Sequence, residues 1–123
     1  MHISRQFYPF MGGTEKYIFE ISKRIINYEF NCRVLTLNYS IINKKLKLSD
    51  YEKNECGEIF RIPGFGHYKK PFPLRVPLKL FKWADIVHIH DVRFLFETSI
   101  FLKWFFKYKI VFSTHGFLFH TKD

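Results

Sequence analysis

The sequence predicts an α/β fold in which an open, mostly parallel sheet carries helices on both faces. Short apolar runs recur along the chain, and amphipathic helical segments separate most of them. The run at 85–91 is rich in β-branched residues, which is typical of a parallel strand buried on both faces. Because strands joined through helices pair in parallel by right-handed crossovers, we predict a Rossmann-like sheet.

The predicted elements follow the order strand, helix, strand, strand, helix, strand, helix, strand. The first strand, His2 to Phe7, is abrupt for a central strand, and the first helix follows with Thr14 as N-cap and Glu15 in its first turn. The polar run 38–55 is expected to be an exposed excursion with a short helix or none, and 63–73 a loop. The other strands are expected at 32–37, 58–62, 85–91 and 109–114, and the other helices at 74–83 and 95–106. The last strand is expected to be an unpaired edge of an incomplete sheet.

Composition and charge limit the function classes. Hydrophobic residues make up 47% of the chain, which excludes a disordered protein. Lys and Arg number 20 against 11 Asp and Glu, so the formal charge of +9 favours anionic partners. Cys32 and Cys56 form no disulfide framework, and no apolar run suits a signal peptide or a membrane span. We therefore expect a cytoplasmic protein.

Paired glycines precede the first helix. Gly12 and Gly13 would let backbone N–H groups approach a phosphate at a helix N-terminus. The signal is weak by itself, since the pair is not a GxGxxG motif. A tight turn that needs positive φ is an equal alternative.

Histidines mark the end of the strand at 85–91. Alternation places His88 and His90 on one face, with Asp91 at the strand's end. A metal-dependent hydrolase using these three residues is one hypothesis, with His115 and His120 as further ligands. No chelating cysteine pair or HExxH helix accompanies them, so we predict no bound metal. Instead, His88 is expected inside the sheet, donating to a backbone carbonyl, while His90 and Asp91 line a cleft.

A third candidate segment follows the last strand. His115 ends that strand and precedes Gly116, which allows a sharp turn. The imidazole is expected to face the same cleft as the glycine pair, because ligands of open parallel sheets collect beyond the carboxyl ends of the strands. A structural histidine is the alternative.

In order, these segments are similar to blocks of the family 4 glycosyltransferases, which have the GT-B fold. The stretch FYPFMGGTEKYIFEISKRI resembles the family's opening F-x-P-x-x-G-G-x-E and helix, ADIVHIHD resembles its "aDivHvHd" strand, and FSTHGFLFHT resembles its "vvTlHG" strand end. The three blocks cover nearly the whole chain. The resemblance implies that residues 1–123 are part of the N-terminal, acceptor-side domain, without the C-terminal donor-binding domain.

The resemblance also implies roles for individual residues. Enzymes of this family transfer a sugar from a nucleotide-diphosphate donor to an acceptor in a cleft between two domains, usually without a metal or other cofactor. Gly12 and Gly13 would bind the donor diphosphate, and His115 would be the catalytic residue that hydrogen-bonds the donor sugar or its phosphate. The acceptor would contact His90, Asp91 and Gly116.

Partners follow from what the chain lacks. The family's E-x7-E segment, which grips the nucleotide sugar, does not occur in the 123 residues, so we expect no activity without a second chain supplying the donor-binding domain. The Phe, Trp and Lys side chains of 95–109 suggest peripheral contact with the inner face of a membrane. A non-catalytic basic module that binds nucleic acid or another anion is the alternative function. No nucleic-acid-binding motif appears, and we predict no nucleic-acid partner.

Overall fold

The computed structural model describes residues 1–10, 12–43 and 45–113. In chain order the elements of this part are β1 (His2–Ile3), α1 (Gly13–Asn27), β2 (Arg33–Leu37), β3 (Tyr51–Asn54), β4 (Gly57–Ile62), β5 (Gly64–Phe65), β6 (Phe72–Pro73), α2 (Leu78–Trp83), β7 (Ile86–Ile89), α3 (Phe96–Leu102) and β8 (Lys109–Phe112). None of the helices in these ranges is long and apolar enough to cross a membrane.

Six strands form the main sheet in the order β3-β4-β2-β1-β7-β8. The pairs β1·β2, β1·β7, β2·β4 and β7·β8 are parallel, and β3 runs antiparallel to β4. The chain therefore starts in the middle of the sheet and adds strands first on one side and then on the other. The predicted α/β fold with a mostly parallel Rossmann-like sheet is confirmed.

The two faces of the sheet bury different helices. Leu35 of β2 belongs to a buried cluster that includes Phe81 of α2 and Leu102 of α3. Val34, its neighbour, belongs to a second cluster with Ile18 of α1. Because successive strand residues point to opposite faces, α1 covers one face while α2 and α3 cover the other.

Residues 38–55 were expected to form an exposed excursion without a strand, and this is wrong for the last part of the segment. Residues Tyr51–Asn54 form β3, which pairs with β4 through a tight turn that ends at Gly57. Gly57 has φ +105, and an added Cβ would lie 2.5 Å from the Cys32 carbonyl oxygen. The strand is polar because it lies at the edge of the sheet and its side chains are exposed or half-buried, so its composition does not distinguish it from a loop.

Other predicted boundaries shift by a few residues. β1 ends at Ile3 and not at Phe7, because the chain turns where the Ser4 hydroxyl donates to the Gln6 carbonyl (2.7 Å). The N-cap of α1 is Gly12, two residues before the predicted Thr14. The loop at 63–73 contains the short hairpin β5·β6. α2 and α3 are shorter than predicted, at Leu78–Trp83 and Phe96–Leu102.

Candidate functional site

The carboxyl ends of β1, β7 and β8 lie side by side at one edge of the sheet. The His90 amide donates to the Ile3 carbonyl (3.0 Å), and the Ser113 amide donates to the Ile89 carbonyl (3.0 Å). Residues that follow these three strands are therefore neighbours. The convergence predicted for the strand ends is present as far as Ser113, whereas His115 and Gly116 lie outside the described residues.

The glycine pair opens α1, and its two members differ. Gly12 has φ −91, and the described glycines with positive φ are Gly57 and Gly66, so the alternative of a turn that requires positive φ is wrong. The Gly12 amide donates to Oε1 of Glu15 at 2.8 Å. An added Cβ on Gly12 would lie 2.6 Å from that oxygen, whereas one on Gly13 would meet no heavy atom within 4 Å. Gly12 thus leaves room for the carboxylate, and Gly13 borders open space.

The start of α1 retains the features of an anion site. The amides of the first helical turn have no acceptor within the helix, and the helix dipole places partial positive charge there. Since the Gly12 amide already donates to Glu15, the amides best placed for a phosphate begin at Gly13.

Asp91, just beyond the end of β7, is held between two arginines. Its Oδ1 accepts from Arg93 Nε at 2.9 Å and its Oδ2 from Arg93 Nη2 at 3.0 Å, while Arg5 Nε lies 3.5 Å from Oδ2. Arg5 follows β1 and so connects two strand ends. Burial lowers the pKa of Arg5, and the carboxylates of Asp91 and Glu15 oppose that change. Tyr17, near the start of α1, lies edge-on to His90 with ring centroids 6.2 Å apart, which brings the helix to the same strand end.

Three histidines cluster behind these strand ends. His2 Nδ1 lies 2.8 Å from His90 Nε2, and the rings of His88 and His90 stack with centroids 3.9 Å apart. His88 Nε2 is 2.7 Å from the Ser113 hydroxyl oxygen, so a side-chain hydroxyl is a hydrogen-bond partner of this ring, whereas a backbone carbonyl was predicted. Burial, together with the N-terminal ammonium and His88, lowers the pKa of His2 to about 3. His2 is consequently neutral at physiological pH.

The two predicted acceptor residues at the end of β7 differ in access. His90 is 2% exposed and packs its ring against His2, whereas the side chain of Asp91 is 14% exposed. Asp91 is the more accessible of the two. Its oxygens contact arginines, so the structure does not group Asp91 with His88 and His90 as the hydrolase hypothesis supposed.

Arg61, which the sequence patterns did not indicate as a functional residue, holds the loop that precedes Gly12 through a hydrogen bond to its backbone. Its side chain is 1% exposed. Nη2 donates to the Tyr8 carbonyl (2.9 Å) and to Glu52 Oε1 (2.8 Å), and Nη1 donates to the Ser49 carbonyl (3.1 Å). A lone arginine in the apolar strand Glu58-Ile59-Phe60-Arg61-Ile62 was the available signal. Arg61 links β3 and β4 to the loop that leads into Gly12.

Curated relatives match almost the whole chain. A protein of Xanthomonas campestris is 29% identical over 122 residues, which is 98% of the chain, and is named GDP-mannose:cellobiosyl-diphosphopolyprenol alpha-mannosyltransferase. The chain is similar to mannosyltransferases. Proteins with the same name from Xanthomonas oryzae pv. oryzae (strain PXO99A) and Komagataeibacter xylinus are also 29% identical, over 122 and 125 residues.

The match covers a limited part of those relatives. The chain spans about a third of their length, 32% of the Xanthomonas campestris protein and 30% of that from Komagataeibacter xylinus. No protein-family model and no solved structure matches the chain. These relatives are sugar-transferring enzymes, the class that the three sequence blocks resemble.

Proposed function

We propose that the chain forms the acceptor-side domain of a family 4, GT-B glycosyltransferase, which moves a sugar from a nucleotide-diphosphate donor to a glycan or lipid-linked acceptor. The main support is that the ends of β1, β7 and β8 lie together at one edge of a parallel sheet, where such folds bind ligands, and that Tyr17 near the start of α1 packs against His90 there, with ring centroids 6.2 Å apart. The similarity to named mannosyltransferases over 98% of the chain agrees with it.

In this proposal the first turn of α1 stabilises the leaving nucleotide. The Gly13 amide and those after it donate to the donor diphosphate as its negative charge grows, an oxyanion-type role. The open space beside Gly13 lets the phosphate approach the backbone closely. His115, which follows β8, is the catalytic residue that hydrogen-bonds the donor sugar or its phosphate. The acceptor contacts Asp91 and Gly116.

Donor binding is assigned to a domain outside these residues. The nucleotide sugar is gripped in this family by an E-x7-E segment, which the 123 residues lack. The chain spans about a third of the length of its relatives, so most of each relative lies outside the match. A second polypeptide or further sequence would complete the cleft, and the chain alone is expected to transfer no sugar.

Reconstitution tests the proposal. We would co-express the chain with the part of the Xanthomonas campestris mannosyltransferase that lies outside the matched 122 residues, and measure mannose transfer from GDP-mannose to cellobiosyl-diphosphopolyprenol. Turnover is expected with both pieces and none with the chain alone. The same assay with Gly13→Ala is expected to show kcat/KM reduced about 100-fold, because the new methyl group occupies the space of the diphosphate without touching protein. Lys16→Ala, an exposed change in the same turn, is the control.

Two results would contradict the proposal. The relative's own matched segment, supplied as a separate chain, shows whether the split enzyme can assemble. If that segment restores transfer and the present chain does not, the assigned function is wrong. Turnover by the chain alone would remove the need for a donor-binding partner.

Membrane contact is proposed through an aromatic patch formed by Phe101, Trp104 and Phe105. These side chains are 62%, 86% and 67% exposed, and the exposed Lys103 and Lys107 lie among them. Aromatic rings partition into the headgroup region, and lysines favour anionic lipids. The patch therefore suits an anionic membrane surface bearing a lipid-linked acceptor.

Vesicle sedimentation tests this contact. Binding to vesicles with anionic lipid is expected to exceed binding to neutral vesicles and to weaken with salt. Trp104→Ser with Phe105→Ser should lower the partition coefficient at least about 10-fold through lost apolar burial. The matched control is Tyr28→Ser with Phe30→Ser, since these aromatics are 77% and 66% exposed elsewhere. Equal losses in both double variants would contradict a specific membrane face.

A further inference from the structure

We infer that His2, His88 and His90 form a binding site for one transition-metal ion of the zinc type. Each ring offers one nitrogen, and the three nitrogens lie within 4.8 Å of one another. Imidazole is a preferred ligand for Zn²⁺, Co²⁺, Ni²⁺ and Cu²⁺, whereas Mg²⁺ and Ca²⁺ require oxygen ligands. The inference does not depend on sugar transfer.

Strand register brings the three rings together. His2 pairs with His88 in the parallel β1·β7 ladder, and His90 lies two residues further along, so all three side chains leave the same face of the sheet. Backbone hydrogen bonds fix this register, with the His88 amide donating to the Met1 carbonyl (2.8 Å) and the His90 amide to the Ile3 carbonyl (3.0 Å). Ligands on paired central strands are better preorganised than ligands on loops.

The distances within the cluster are close to those of a metal site. His2 Nδ1 and His90 Nε2 are 2.8 Å apart, which means that one of them holds a proton shared with the other. Two nitrogens on a tetrahedral zinc ion lie about 3.3 Å apart. A slight widening of the His2–His90 pair would therefore admit an ion, with the His88 nitrogen within 4.8 Å of both as the third ligand. The metal takes the place of the shared proton, which moves to the second nitrogen of its ring. Neutral imidazoles are required for this, and the burial that lowers the pKa of His2 keeps that ring neutral.

The structure also offers an entry path and an outer contact. A cavity of about 590 Å³ is lined by His2 and His88, together with Cys32 and Asp85. Solvent and small ions can reach two of the three rings through it. The Ser113 hydroxyl, 2.7 Å from His88 Nε2, orients that ring in the way that outer contacts orient metal-binding histidines.

This site departs from the sequence prediction of no metal. The local sequence offers only His88 and His90 as neighbouring ligands, and two imidazoles alone make a poor metal site. The register of β1 beside β7 supplies His2 as the third ligand. A bound ion would join the first strand to β7 directly behind Asp91.

Cobalt titration of the chelator-treated chain tests the site. Stoichiometric Co²⁺ is expected to give the visible absorption of a four-coordinate ion, and Zn²⁺ to displace it and raise Tm by about 8 °C at a hundredfold excess over Kd. Mg²⁺ should do neither. His2→Ala, His88→Ala and His90→Ala should each weaken Co²⁺ affinity about 100-fold or more. His67→Ala, which removes an exposed histidine, is the matched control and should leave the affinity unchanged.

X-ray absorption on the zinc-loaded native chain decides the matter if those variants fail to fold. Three imidazole nitrogens at about 2.0 Å support the site. Fewer than three imidazoles, an absent cobalt band, or an affinity that falls equally with His67→Ala would overturn it.

Discussion

Replacing Arg61 with methionine is expected to lower the free energy of unfolding by about 2–3 kcal/mol. The guanidinium is 1% exposed and donates to the carbonyls of Tyr8 and Ser49 and to the carboxylate of Glu52. Methionine fills a similar volume but removes the donor that the half-buried Tyr8 and Glu52 and the exposed Ser49 share. Domains of this size are stable by about 5–15 kcal/mol, so the loss is a large fraction of the total.

Urea denaturation followed by circular dichroism measures this loss. Glu52→Gln is the matched control, because Glu52 is 34% exposed and its amide can still accept from Arg61. It should cost about 1 kcal/mol or less. A cost below about 1 kcal/mol for Arg61→Met itself would show that the buried guanidinium is not what holds the Tyr8 loop against β4.

Acidification from pH 7 to pH 5 is expected to destabilise the chain by about 2 kcal/mol through His2 alone. Burial first, and then the N-terminal ammonium and His88, lower the pKa of this ring to about 3 from its ordinary 6.5. The His2 ring is therefore protonated near pH 6.5 in the unfolded chain but only near pH 3 in the folded chain. Stability is complete above pH 6.5 and is lost as the pH falls toward 3.

Thermal or urea unfolding at half-unit pH steps, with a chelator present, measures this dependence. The window above pH 5 separates His2 from Glu58 and Glu97, whose lowered pKa values affect stability below about pH 4.5. His2→Asn should flatten the slope, because the amide retains a hydrogen-bonding group without titrating. His67→Asn, an exposed change, should not. An unchanged slope in His2→Asn would assign the acid sensitivity to other groups.

The parts of the fold that were predictable from the sequence are those in which burial leaves a periodic pattern. β2, β4, β7 and β8 lie within or very near their predicted ranges. β2 and most of β4 are apolar because they are buried. β7 and β8 were recognisable because they are mostly apolar even where their side chains are exposed. β3 was not predictable in this way. It is an edge strand with polar side chains, and it is recognisable only through its pairing with β4.

The candidate site divides along similar lines. Its Gly12–Gly13 loop and its strand-end residues follow from chain order and from the rule that ligands collect beyond parallel strand ends. The contacts of His2, Arg5 and Arg61 depend on which strands are neighbours and on the register between them. Local sequence patterns predict neither. The cluster at His2 becomes visible once β1 is known to lie between β2 and β7.

The two borders of the main sheet have opposite characters. At one border β3 is antiparallel to β4 and carries the charged residues Glu52 and Lys53, which disfavour pairing with another strand. At the other, β8 has β7 as its partner within the described residues, and its Val111 and Phe112 are 43% and 38% exposed. A further strand would therefore be added beside β8 and not beside β3. A segment that completes the sheet would enter there, in extended form and with apolar side chains on both faces.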